Sequence, residues 1–156
     1  MVQQQIPPSI QGMPALENTT MERFRVLFNQ MSSGHLGALD EVYHGDIVFT
    51  DPFTTVTDLT GLREYFTGAY LNVISCQFEF GDAIGEGKDV CLPWVMKLRH
   101  KRIRKGELIK VDGISRLVFS DGLIVAHRDY FDAGQLLYEN LPVLGTAVRW
   151  LRKHAA

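Results

Sequence analysis

The run His127-Arg128-Asp129-Tyr130-Phe131-Asp132 places a histidine and a carboxylate two positions apart on what reads as the last strand of a sheet. Strand side chains alternate between faces, so His127, Asp129 and Phe131 point one way and Arg128, Tyr130 and Asp132 the other. The first face continues into Leu123 and Val125 and is the apolar one. A histidine and a carboxylate on an apolar face are expensive to bury unless they are paired or used. General acid/base work is the chemistry this pair suits, with Asp129 as base, His127 assisting, and Asp51 as a further carboxylate. Two other readings stay open: a structural pair that satisfies itself, or a pair that only orients a ligand. Asp51 precedes Pro52, so it can equally cap a turn.

The elements that must position these residues follow from periodicity. Residues 1–17 read as a mobile tail. Thr19-x-x-Glu22 fits a capping box ahead of Met21, Phe24, Leu27, Phe28 and Met31 at helical spacing, with Gly34 as a stop. A short second helix is expected over Leu36 to Tyr43, then a brief strand over Asp46 to Thr50, ended by Asp51-Pro52. A third helix starts near Thr60, with Leu62, Tyr65, Phe66, Ala69 and Tyr70 on one stripe.

From Val73 the period drops to two, and turns cut the chain into strands at about 74–84, 89–102, 107–119 and 123–132. Three hairpins in succession make an antiparallel meander, with the helices upstream, an α+β arrangement. Residues 136–156 return to an amphipathic helix expected to pack on the same domain. Pro142 sits in its first turn, Val143, Leu144, Ala147, Val148 and Leu151 lie on one face, and Arg149, Arg152 and Lys153 on the other.

The inward rows predict a pocket. Leu92, Trp94, Met96 and Leu98 form one apolar row, and Ile109, Val111, Leu117 and Phe119 another, with the small residues Gly113 and Ser115 between. Small residues ringed by Trp94, Met96, Phe78 and Phe80 leave room for a ligand, although a close helix contact would need them equally. Trp94, Met96, Phe49, Val111, Gly113 and Tyr70 are therefore the expected ligand contacts, and His100 falls at the rim. On the outer face Asp112 and Arg116 are placed to join Lys97 and Arg99 in an ion network at a dimer interface.

Composition bounds the partners. Sixteen basic and eighteen acidic residues give a net charge of -2, so bulk charge argues for neither a nucleic acid nor a membrane. Seven of the sixteen cations crowd Lys97 to Lys110, which lacks base-stacking aromatics and reads as a solvated edge hairpin. The five histidines and two cysteines show no ligand spacing, so neither a metal nor a dissociable cofactor is implied. Cys76 and Cys91 face opposite ways, which disfavours a disulfide. With no signal-peptide pattern and no apolar run of membrane-spanning length, the expected location is the cytoplasm.

The order helix, helix, short strand with Asp-Pro, helix, long meander and a last strand ending Arg128-Asp129-Tyr130-Phe131-Asp132 resembles the nuclear transport factor 2-like superfamily. Its SnoaL-like branch is the most similar, over roughly residues 18–135. The resemblance implies a cone-shaped curved antiparallel sheet packed against N-terminal helices, a cystatin-like roll. It also implies an apolar pocket and a homodimer paired through the sheet. Ketosteroid isomerase and polyketide cyclases share the fold, and the cyclases' last-strand aspartate falls at Asp129. Limonene epoxide hydrolase carries a similar Arg-Asp-Tyr-Phe-Asp run. Its water-holding tyrosine and asparagine align with Phe49 and Asp51, and its activating Arg and Asp with Met96 and Leu98, so that pair is missing here. Isomerase- or cyclase-type chemistry on a small apolar carbonyl compound is therefore the expectation. Non-catalytic binding of a lipid-like ligand, or a protein-interaction module, stands as the alternative.

Overall fold

The computed structural model describes residues 10, 12–32, 34–140 and 144–155. Helix α1 (Ala15–Gln30) is followed by a 3₁₀ turn (Leu39–Glu41), β1 (Tyr43–Thr50), β2 (Thr55–Thr57) and α2 (Asp58–Tyr70). Strands β3 (Val73–Phe80), β4 (Ile84–Glu86), β5 (Asp89–His100), β6 (Ile109–Ser120) and β7 (Leu123–Phe131) come next, then α3 (Ala133–Leu136), a 3₁₀ turn (Tyr138–Asn140) and α4 (Leu144–His154). The seven strands form one curved, unclosed sheet in the order β2-β1-β7-β6-β5-β3, with β4 paired to β5. This is an α+β cone, and Met21, Phe24, Phe28, Leu62, Phe66, Leu92, Leu117 and Ile124 form the core between helices and sheet.

The sheet is mixed rather than purely antiparallel, because β1 runs parallel to β7, with Phe49 opposite His127 and Thr50 opposite Arg128. That pairing also explains why Leu36 to Tyr43 is not a helix. Only a 3₁₀ turn forms, Gly37 takes φ +65°, and Tyr43 already opens β1 opposite Ile124. The proposed capping box does not start α1. The helix begins after Pro14, and the Thr19 hydroxyl donates to the Ala15 carbonyl from inside it. Met13 and Glu17, within the segment read as a tail, are buried, and Thr20 Oγ donates to the Gly122 carbonyl in the β6–β7 turn. Residues 1–9 and 11 lie outside the described residues, as do Pro142 and Val143.

A bulge changes the phase of β7. Val118 pairs with Ala126 but Phe119 with Ile124, so Val125 is the extra residue. Ile124, not Leu123 or Val125, therefore shares the buried face with His127. Within the single chain the outer-face charges make the following pairs. Arg116 binds Asp89 through both its Nε (3.0 Å) and Nη2 (2.5 Å). Lys97 pairs with Glu79, and Asp112 accepts from the Gln135 amide at 3.2 Å. Helix α4 meets the 3₁₀ turn before it, and leaves Leu144, Trp150 and Leu151 45%, 58% and 56% exposed.

Candidate active site

Between the helices and the inner sheet face lies a cavity of about 260 Å³. Aromatic rings dominate its wall: Phe24 and Phe28 from α1, Phe66 from α2, Phe78 and Phe80 from β3, and Trp94 from β5. Asp51, Tyr65, Tyr70, Cys76, His100, Ser115, His127 and Asp129 supply polar groups to it. No Lys or Arg lines it.

His127 is 1% exposed and enclosed by aromatic rings, with centroids 5.5 Å from Phe24, 4.9 Å from Phe49 and 5.9 Å from Tyr43. A polar group so deep must have partners on both nitrogens. Its Nδ1 lies 2.8 Å from the Tyr43 hydroxyl and its Nε2 2.7 Å from Asp129 Oδ1. We assign the tautomer in which Tyr43 O–H donates to Nδ1 and Nε2–H donates to the carboxylate, since that arrangement satisfies each group. Burial, and then the nearby Asp129 charge, hold the Tyr43 hydroxyl well above the usual phenol range, so it stays a donor.

Asp129 is fixed from its other side as well. Ser115 Oγ donates to the same Oδ1 at 2.5 Å, and Trp94 Nε1 donates to Ser115 Oγ at 2.9 Å. The result is a continuous chain, Trp94-Ser115-Asp129-His127-Tyr43, across the inner face of the sheet. Both bonds to Asp129 land on Oδ1, and Oδ2 has no hydrogen-bond partner among the described residues. A carboxylate held rigidly by one oxygen and free at the other is equipped to accept a proton from a bound molecule.

Asp51 lines the cavity just past the end of β1, whose parallel register with β7 ends at Thr50 opposite Arg128. Its Oδ1 accepts from the backbone N–H of Phe53 (2.8 Å) and Thr54 (2.9 Å), and its Oδ2 from the Tyr65 hydroxyl. Asp51 thus caps the turn and lines the cavity at once. Tyr65 is raised above the usual phenol range by burial and by its bond to Asp51. Tyr70 is raised too, by burial and then by Cys76, which accepts its hydrogen bond. Burial pushes the Cys76 thiol up to about 11.

Of the expected ligand contacts, Trp94, Met96, Phe49 and Tyr70 line the cavity, and Val111 and Gly113 do not. Val111 is fully buried in a side cluster with Trp94 and Ile109. A Cβ on Gly113 would sit 2.2 Å from Trp94 Cη2, so the room at this glycine belongs to the indole rather than to a ligand. His100 borders the cavity, and burial and then Arg102 lower its pKa. Sequence reasoning treats Ser115 only as a small residue and does not connect it or Tyr43 to the His127–Asp129 pair. Hairpin counting from Asp121-Gly122 brings Ser115 opposite Asp129 once the bulge is allowed for; nothing local marks Tyr43. Both cysteines are free. Among the described residues no three His, Cys, Asp or Glu side chains group as metal ligands, and no helix is long and apolar enough to cross a membrane.

The chain belongs to the SnoaL-like domain family, whose model matches residues 24–127. No curated protein matches it. Among solved structures it is similar to a candidate polyketide cyclase from Acidithiobacillus ferrooxidans, at 17% identity over 83% of this chain and 97% of that one, TM-score 0.65. It is also similar to a protein of ketosteroid isomerase-like fold from Catenulispora acidiphila in complex with trimethylamine, at 15% identity, covering 82% and 93%, TM-score 0.66. A third is TerC co-crystallised with polyporic acid, at 13% identity, covering 76% and 92%, TM-score 0.64. At these identities the likeness establishes the fold, and the chemistry must be argued from the site.

Proposed function

We propose that the cavity binds a small apolar carbonyl compound and that Asp129 moves a proton on it, in isomerase- or cyclase-type chemistry. The observation that supports this most is Asp129 itself, with Oδ1 held by Ser115 and His127 and Oδ2 unpaired in a cavity walled by aromatic rings. Oδ2 takes a proton from the carbon beside the carbonyl, and the electron pair moves onto the carbonyl oxygen. Tyr70, kept protonated by burial, donates to that oxygen. Its present acceptor, the Cys76 sulfur, is a weak one that a ligand oxygen displaces. The proton then returns at another carbon, or the enolate carbon attacks a second carbonyl to close a ring and the alkoxide so formed takes the proton back from Asp129. His127 and Ser115 act as positioning residues, since they touch the base and not the substrate carbon.

Family membership and the similarity to a candidate polyketide cyclase support this class of chemistry. An aromatic wall suits a flat ligand, and TerC was crystallised with polyporic acid. The test is a thermal-shift screen against ketones, steroids, epoxides, polyketide fragments and fatty acids. A ligand at a hundred times its Kd adds about 2.7 kcal/mol, which here raises the midpoint by roughly 5 to 10 °C. Ketone hits that are turned over support the proposal. Fatty-acid hits without turnover of any carbonyl compound identify a non-catalytic binder, and silence across every class points to a protein-interaction module.

A further inference from the structure

The net charge of -2 conceals a strong polarity. Residues 97–110 and 144–156 together hold ten of the sixteen Lys and Arg and one of the eighteen acidic residues, Glu107. The rest of the chain is correspondingly acidic. The strand register places both basic segments at one end of the sheet. Val73 at the start of β3 pairs with His100 at the end of β5, Leu98 with Ile109 at the start of β6, and Gly113 with Phe131 at the end of β7. The basic hairpin leaves from β5 at this end, and α3, the 3₁₀ turn and α4 leave from β7. The cavity is bordered here as well, by Val73, His100, Phe131, Leu136 and the half-exposed Phe53.

Large apolar side chains stand out among these cations. Leu71 is 61% exposed, Ile74 53% and Leu108 42%. They sit on the hairpin's flank, where Lys101 N–H donates to the Asn72 carbonyl at 2.9 Å and Ile74 approaches Gly106. Lys101, Arg102 and Lys105 make no ion pair among the described residues. Helix α4 repeats the combination, with Leu144, Leu151 and Trp150 exposed and Arg149, Arg152 and Lys153 along its other side. An eleven-residue helix with an uncovered apolar stripe is marginal by itself and needs something to bury that stripe. A second copy of this surface would oppose cations with cations. An anionic interface that accepts aliphatic and tryptophan side chains neutralises the charge and covers the stripe together.

We propose that the basic hairpin and α4 form a docking surface for an anionic lipid bilayer, through which the cavity receives its apolar ligand. The delivery clause rests on the cavity being a ligand site; the docking itself does not. The chain's average charge argued for no membrane partner, whereas this proposal rests on where the charges lie.

The test uses the full chain with vesicles of phosphatidylcholine alone and of phosphatidylcholine with phosphatidylserine, followed by co-sedimentation and tryptophan emission. Trp94 is already buried and Trp150 is exposed, so a blue shift reports α4. Binding is expected only to the phosphatidylserine vesicles and weakens as salt rises. It falls about tenfold or more in Trp150→Ser with Leu151→Ser, and likewise in Lys101→Glu with Lys105→Glu. The proposal is overturned by no binding at low salt, by equal binding to the neutral vesicles, or by indifference to both double variants. Polyglutamate bound as tightly as phosphatidylserine vesicles also overturns it, in favour of an acidic polypeptide. Because vesicle binding is read with no ketone or other screen compound present, failure here leaves the thermal-shift screen of the cavity as an independent result.

Discussion

The Asp129–His127 pair is held from both ends, by Ser115 at the carboxylate and by Tyr43 at the imidazole. Tyr43 stands 84 positions from His127, and its O–H satisfies a nitrogen that water cannot reach. Tyr43→Phe leaves that nitrogen unpaired at an otherwise unchanged shape. We expect a loss of about 1–3 kcal/mol in urea unfolding, far more than a surface tyrosine would give. Asp129 and His127 were legible in the sequence because a polar pair on an apolar strand face has few cheap explanations. Their supports were not. Cys76 offers a pH signature. Burial raises its thiol from about 9 to about 11, so between those values the unfolded chain sheds a proton that the folded chain keeps. This contribution is intact below about pH 9 and is lost as pH rises through about 11. Urea midpoints measured across that window should fall, and Cys76→Ala should flatten part of the slope; an identical slope in the variant would contradict the assignment.

At the scale of elements, β5 and β6 were readable because Leu92, Trp94, Met96 and Leu98, and Ile109, Val111, Leu117 and Phe119, keep one phase of a two-residue period while Lys97, Arg99, Lys110, Asp112 and Arg116 keep the other. The β7 phase was not, since Leu123 to Ala126 are all apolar and a four-residue apolar run carries no period. The missing helix over Leu36 to Tyr43 has a similar cause. Leu36, Leu39 and Tyr43 have helical spacing, but burial of Tyr43 in a parallel pairing with β7 prevails over local preference. The false capping box shows the reverse: α1 is tied at Thr20 to a turn about a hundred residues away, which no local motif announces. The β5–β6 crossing holds the site's outer support, the indole over Gly113. Gly113→Ala drives a methyl into that ring, so we expect about 1–3 kcal/mol of destabilisation together with a changed Trp94 environment in near-UV circular dichroism.

For the whole molecule, helices upstream and hairpins downstream were enough to read an α+β cone, and the family match agrees. The antiparallel expectation failed only where a strand from the helical half inserts beside the last one. A core so arranged does not depend on α4, which packs on the short turn before it. Removing residues 144–156 should therefore change the unfolding free energy by less than about 1 kcal/mol, read from denaturant midpoints. A large loss would mean that the helix is part of the core. The curved sheet leaves one end for the cavity and sets Asp129 in its wall with Oδ2 unpaired among the described residues, and the proposed function makes that oxygen the base. Proton NMR of solvent deuterium entering a bound ketone tests that claim most directly. The wild-type chain should exchange the protons beside the carbonyl about 10²- to 10⁴-fold faster than Asp129→Asn, while the variant still binds the ketone. Equal exchange by the two proteins, or a bound ketone that exchanges no faster than in buffer, would contradict Asp129 as the base.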